Sequence, residues 1–223
     1  MAAVARAQQL PLSDEALRDL RQALDREYPD LRLAVESGKL YLRGSFPVKH
    51  DGEILDRYQI EIELASGRFA VPSLREVGGR IPRDEDHHIN GDGTACPLVP
   101  EEWLVRPASK RSLLDFLREP THNYFLGQAL VERGFRFPFG ERRHRKAGLL
   151  EAYGEMLGLD DRRWAPAFLE CLTHKRIRPA WRCPCGSGKL IRECHARTLA
   201  KLHDRIPRHV AESALERLRK TPV

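Results

Sequence analysis

The stretch Asp84-Glu85-Asp86-His87-His88-Ile89-Asn90-Gly91-Asp92-Gly93-Thr94-Ala95-Cys96-Pro97-Leu98 holds the only cysteine of the first 170 residues, two adjacent histidines, an asparagine and a Gly-Asp-Gly-Thr turn. These residue types suit a nucleophilic thiol. A sharp turn at Gly93-Thr94 would expose the Cys96 sulfur, and nearby amides or a protonated imidazole would lower its pKa toward the reactive thiolate. Asn90 could donate a hydrogen bond to the oxyanion that forms as a thiolate attacks a carbonyl. A single cysteine is more often a buried structural thiol; the polar, glycine-rich surroundings argue against that state for Cys96. Cys171, beside Phe168 and Leu172, reads as core.

A second concentration lies near the C-terminus. Cys183-Pro184-Cys185-Gly186-Ser187-Gly188-Lys189-Leu190-Ile191-Arg192-Glu193-Cys194-His195 supplies three thiols and one imidazole within thirteen residues. That is a complete tetrahedral donor set for zinc, with no position left for water, so the expected Zn2+ is structural and not catalytic. A helix through Leu199 and Leu202 should follow.

Composition bounds what these residues can belong to. The chain has 223 residues, 41% of them apolar and 31% charged, which fits one ordinary domain plus a small module. No apolar run approaches the ~20 residues that span a bilayer, so no membrane partner is expected. The N-terminal segment lacks a basic leader and a long hydrophobic region, which points to the cytoplasm, where five cysteines serve as metal ligands or a reactive thiol and not as disulfides. Residues 175–223 carry 13 Lys+Arg against 4 Asp+Glu, while residues 1–174 carry 25 against 28. The expected division is therefore a domain over 1–174 and a basic zinc module over 175–223. Such a tail suits nucleic acid or an acidic protein partner, or simply a solvated surface.

The elements that must position Cys96 are legible upstream. Ser13 is an N-cap followed by acids, and Leu17, Leu20 and Leu24 share a helical face that ends before Pro29. Period-two alternation then runs through Leu31, Leu33 and Val35, through Leu40, Leu42, Phe46 and Val48, and through Tyr58, Ile60, Ile62 and Leu64. Phe69 and Val71 suggest a fourth, shorter run. Turn residues between these runs predict an antiparallel meander with one wet face. From Pro72 to Pro100 the prolines and glycines predict a long segment without regular structure, of the kind that carries function. Helices follow around Leu113–Leu117, Phe125–Leu130, Leu149–Leu157 and Trp164–Leu172. The fold class is α+β.

Several functions fit the residues. A thiol hydrolase would pair Cys96 with His87, His88 or His144. Asp86-His87-His88 with Asn90 is similar to the start of a histidine-metal nuclease motif, but the glycine pair and distal residues that complete it are missing. A non-catalytic binding protein would not need Cys96 at all.

The order of elements, with His88-Ile89-Asn90 ahead of Gly93-Thr94-Ala95-Cys96, resembles the ubiquitin-conjugating (UBC-like) fold over roughly residues 13–160. That family places a His-Pro-Asn motif shortly before a Gly-Thr/Ser-x-Cys-Leu site. Here Ile89 replaces the proline, the Asn-to-Cys gap is about two residues shorter, and Pro97 precedes Leu98. The downstream pattern Phe139-Gly140-Glu141-Arg142-Arg143-His144, then Gly148-Leu149-Leu150, resembles the bacterial branch found in ubiquitin-like and CD-NTase-linked anti-phage operons. The resemblance implies that Cys96 carries the C-terminus of a ubiquitin-like protein as a thioester. The donor would come from a cognate activating enzyme, and the acceptor would be a protein target. Asn90 would support the oxyanion and His88 would shape the loop, with His87, Asp92 and His144 as accessory candidates. The run from Cys183 to His195 resembles the SEC-C motif, which implies zinc on Cys183, Cys185, Cys194 and His195 and a docking role.

Overall fold

The computed structural model describes residues 13–64, 71–84, 86–137 and 145–220. The chain packs as two compact units, Met1–Pro97 with Ser109–Phe139, and Leu98–Ala108 with Gly140–Val223.

The first unit is built on a four-stranded antiparallel sheet in the order β1 (Leu31–Glu36), β2 (Lys39–His50), β3 (Glu53–Leu64), β4 (Ser73–Glu76). The alternation works as expected on β2 and β3, where Leu40, Leu42, Phe46, Val48, Tyr58, Ile60 and Ile62 are all buried; on the edge strand β1 only Leu31 is buried, and Val35 is exposed. The residues between them form cross-strand ion pairs on the wet face, Arg43 with Glu61 and Lys39 with Glu63. Helix α1 (Asp14–Glu27) starts at Ser13, whose side chain accepts from the Ala16 N–H, and buries Leu17 and Leu24. It packs beside β1, while α4 (His122–Glu132) packs against β2 and β3. Phe125 of α4 stacks on Tyr58 at 4.6 Å and lies 5.8 Å from Phe46. Each such buried aromatic contributes about 1.5–3 kcal/mol through its removal from water.

Two expectations change here. The fourth strand is Ser73–Glu76, paired with β3 through Ile62↔Leu74 and Ile60↔Glu76. Val71 precedes it outside the sheet, and Phe69 lies outside the described residues. Pro72, read as a sheet breaker, instead marks the strand's start, where no ladder N–H is needed. Downstream, Pro120 does not end the helix begun by α3 (Leu113–Phe116). A π-helical turn over Leu117–Thr121 carries the chain into α4, the wider turn being one way a helix accommodates an interior proline.

Arg80 fastens the segment after β4 to this frame. Its guanidinium bonds Asp56 through both Nη atoms, at 2.6 and 2.7 Å, reaches Glu132 and lies 4.6 Å from the Tyr58 ring centroid. Arg133 adds a bond to Asp56 at 2.9 Å. The Arg80 hydrogen bonds, aided by the Arg57 N–H and Arg133, hold the Asp56 carboxyl well below the usual carboxylate range. A depressed folded-state pKa gives stability that is present above the unfolded value and lost as pH falls through the folded one. Asp56→Asn should therefore cost about 2 kcal/mol at neutral pH and flatten the loss of stability below about pH 4 in an acid titration followed by circular dichroism.

The second unit holds α2 (Pro100–Val105), α5 (Arg145–Leu157), α6 (Ala165–Leu172), α7 (Ala196–Arg205) and α8 (Arg208–Lys220). Tyr153, Leu157, Phe168, Leu169 and Leu172 form one core with Cys183, Ile191, Leu199, Leu202, Ala214 and Leu218. The change of charge at residue 174 suggests a domain boundary there, but the packing divides the chain elsewhere, because α7 and α8 bury their apolar faces against α6. Glu101 of α2, fully buried, pairs with Arg217 of α8 at 2.9 Å, and Arg205 bonds the Val105 carbonyl. Among the described residues no helix is long and apolar enough to cross a membrane.

Candidate functional site

The residues around Cys96 form a small hairpin. Ile89 and Ala95 pair as an isolated antiparallel bridge, and both are buried. The Asn90 N–H donates to the Thr94 carbonyl and the Cys96 N–H to the His88 carbonyl, each at 2.8 Å. Between Asn90 and Thr94 lies a three-residue loop, Gly91-Asp92-Gly93, closed by the Gly93 N–H on the Asn90 carbonyl. Gly93 has φ +80°, the left-handed state that the third position of such a loop demands. Strand alternation then places Asn90, Thr94 and Cys96 on the face opposite Ile89 and Ala95. Cys96 is exposed, as the turn chemistry suggests.

The loop's polar side chains hold its shape. Asp92 Oδ1 accepts from the Thr94 N–H at 2.9 Å and from Thr94 Oγ1 at 2.6 Å, which lowers the Asp92 pKa. Asn90 Nδ2 donates to Thr94 Oγ1 at 3.0 Å, which engages one of its two hydrogens. Strand β4 supplies the base: the Ala95 N–H donates to the Leu74 carbonyl at 2.8 Å, and Arg75 Nη1 donates to the Asp92 carbonyl at 2.5 Å. The stretch expected to lack regular structure is thus strapped to the sheet edge.

His87 and His88 differ in role. The His87 ring contacts Asp84 Oδ1 at 2.6 Å, and its N–H donates to the same oxygen, so His87 is tied to its own turn; the ring bond also lowers the Asp84 pKa. His88 has φ +55°, and the Ile89 N–H donates to the Asp84 carbonyl across it, the bond made where a helical turn ends in the left-handed region. Its ring packs edge-on against Phe137 at 5.8 Å. His144 lies outside the described residues.

Four residues at the site carry no obvious sequence signal: Arg75, Tyr124, Gln128 and Phe137. Tyr124 Oη and Gln128 Nε2 both donate to the His87 carbonyl, at 3.0 and 2.9 Å. The only hint is their spacing, since residues four apart on a helix share a face. Burial, with Glu76 and Cys96 nearby, pushes the Tyr124 phenol above its ordinary range, so it remains a donor.

The second cluster also converges. The donor atoms of Cys183, Cys185, Cys194 and His195 all lie within 4.8 Å of one another. His195 Nδ1 is 3.2 Å from Cys183 Sγ and 3.1 Å from Cys194 Sγ, and the Cys185 and Cys194 sulfurs are 3.5 Å apart. A tetrahedral zinc with bonds of about 2.0–2.3 Å needs donors roughly 3.3–3.8 Å apart, so the set fits a metal ion with small adjustment. The knuckle is built by pairing Arg182 with Leu190 and by the Cys183 N–H on the Lys189 carbonyl at 2.8 Å. Burial pushes the Cys183 thiol up to about 12, so a bound cation would have to displace that proton. Partial burial works against the Cys185 thiolate, yet hydrogen bonding with Ser187 and the neighbouring thiols brings it down to about 6. Phe168 packs edge-on against the His195 ring at 5.0 Å. The chain matches no protein-family model, no curated protein and no solved structure.

Proposed function

We propose that the chain is a ubiquitin-conjugating-type acyl carrier with a UBC-like first unit and a zinc-bearing, SEC-C-type tail. The observation that carries the reading is the exposed Cys96 at the foot of a hydrogen-bonded hairpin, with Asn90 on the same face. In the first step the Cys96 thiolate attacks the thioester that joins a ubiquitin-like protein's C-terminus to its activating enzyme. The new C–S bond forms, the old one breaks, and the activating enzyme's thiolate leaves. In the second step an amine or hydroxyl of a target attacks the same carbonyl. The Cys96 C–S bond breaks, and the nucleophile's proton passes to solvent or a nearby base. The second hydrogen of Asn90 Nδ2 is suited to the oxyanion of either step. Asp92 and His88 act as loop formers in this reading, and His87 is turned to Asp84.

The test is incubation with an activating enzyme, ATP and a tagged ubiquitin-like protein, read on gels with and without reductant. A reductant-sensitive adduct supports transfer. Hydrolysis of a fused substrate without an adduct would replace this reading with the hydrolase one. For the tail, an acidic or nucleic-acid partner should bind in a salt-sensitive way, with affinity falling at least tenfold between 50 and 200 mM salt; titration of a single-stranded oligonucleotide and a polyglutamate peptide at both salts checks it.

A further inference from the structure

The left-handed conformation at His88 bears directly on Cys96, because the His88 carbonyl accepts the Cys96 N–H at 2.8 Å. A side-chain-bearing residue at φ +55° carries a conformational penalty, so something must hold it there. Beside the Ile89 N–H on the Asp84 carbonyl, the holding contacts come from one face of α4. Tyr124 and Gln128, each 3% exposed, direct two donors onto the His87 carbonyl, the oxygen of the peptide bond that leads into His88. Between them in sequence, Gly127 leaves room for Phe137: a β-carbon there would sit 2.1 Å from the Phe137 ring. That ring in turn packs on His88. Residues 124, 127 and 128 are spaced i, i+3, i+4, so these contacts come from a single helical face, while Phe125 is directed to the sheet.

We propose that this α4 face is the positioning element of the thiol site: Gln128 and Tyr124 fix the His87–His88 peptide, the fixed peptide sets the His88 carbonyl, and that carbonyl sets Cys96. His88 serves here through its backbone, with its ring packed on Phe137 as a supporting contact. Gln128 and Tyr124 are positioning residues, since both act through His87 and His88. The consequence for catalysis rests on the acyl-carrier reading above; the consequence for the loop does not.

The experiment measures both. Hydrogen exchange of the Cys96 amide in the full-length protein reports whether the loop is held, and the rate of thioester formation reports whether holding it matters. Gln128→Leu, which keeps the volume and removes the donors, should lower Cys96 amide protection about tenfold while leaving β2–β3 amides unchanged, with Tyr124→Phe giving a smaller loss in the same place. Adding His88→Gly to Gln128→Leu should recover most of the protection, because glycine takes φ +55° without penalty, while adding His88→Ala should not. Thioester formation should fall about tenfold in Gln128→Leu. Unchanged Cys96 protection in both α4 variants, or a loss that His88→Gly leaves in place, would overturn the proposal. A uniform loss across the sheet amides would also overturn it, since that is mere destabilisation. The expected protection pattern in a protein that forms no adduct would leave the positioning role standing and remove the transfer reading alone.

Discussion

Cys96→Ala is expected to abolish the reductant-sensitive adduct completely, since the sulfur is the atom that would carry the acyl group. The substitution leaves the hairpin intact: the Cys96 N–H bond to the His88 carbonyl is a backbone bond, and the side chain is exposed. No other thiol is suited to take over. Cys171 is half-buried, and burial raises its pKa, while Cys183, Cys185 and Cys194 converge on His195. Cys96→Ser should give a slow adduct that survives reductant, because an oxygen ester replaces the thioester. Asn90→Ala should slow transfer about 100-fold or more if its amide supports the oxyanion, with only about 1 kcal/mol lost from the hairpin through the Thr94 bond. Gels of loading and discharge separate these variants. An adduct that persists in Cys96→Ala would place the acceptor elsewhere and end the proposal.

Much of the frame that presents Cys96 is written in local pattern. Alternation at Leu40, Leu42, Phe46 and Val48 and at Tyr58, Ile60 and Ile62 specifies the buried face, since a one-residue slip would put every one of these side chains into water. Ser13 declares the first helix, and the Gly-Asp-Gly loop declares the turn before Cys96. The zinc-type donor set is legible from spacing alone, because Cys183, Cys185, Cys194 and His195 are close in sequence. Long-range contacts were not legible. Strand β4 has only four residues and follows a proline, so nothing local distinguishes it from loop; it exists because β3 offers Ile60 and Ile62 as partners. The bonds from Tyr124 and Gln128 to the His87 carbonyl span about forty residues of chain. The same limit applies to the tail. Its charge suggested a separate module, whereas its burial of Leu199, Leu202 and Leu218 against Phe168 and Leu172 joins it to α6.

That shared core makes the proposed metal centre the second large effect. A purified chain is expected to hold about one zinc, and removing it should unfold much of the second unit. A structural zinc site of this size contributes on the order of 10–16 kcal/mol on binding, comparable to or larger than the ~5–15 kcal/mol that holds a typical domain folded. Cys183 is itself 5% exposed and sits in the same apolar cluster as Ile191, Phe168 and Leu169, so the donor cluster and the core are one structure. The four donor atoms lie within 4.8 Å of one another, so the loss of one thiol removes a quarter of the donor set on which the expected ion depends. Cys183→Ser should therefore lose the metal and lower the melting temperature of the second unit by more than 10 °C, and a strong chelator should do the same to the wild-type chain. The first unit does not contain these ligands, so amide protection in β2 and β3 should survive chelation. Metal analysis of protein purified without chelator, paired with melting curves, checks the prediction. Absence of bound metal, or a melt indifferent to both chelator and Cys183→Ser, would show that the four donors converge without holding an ion.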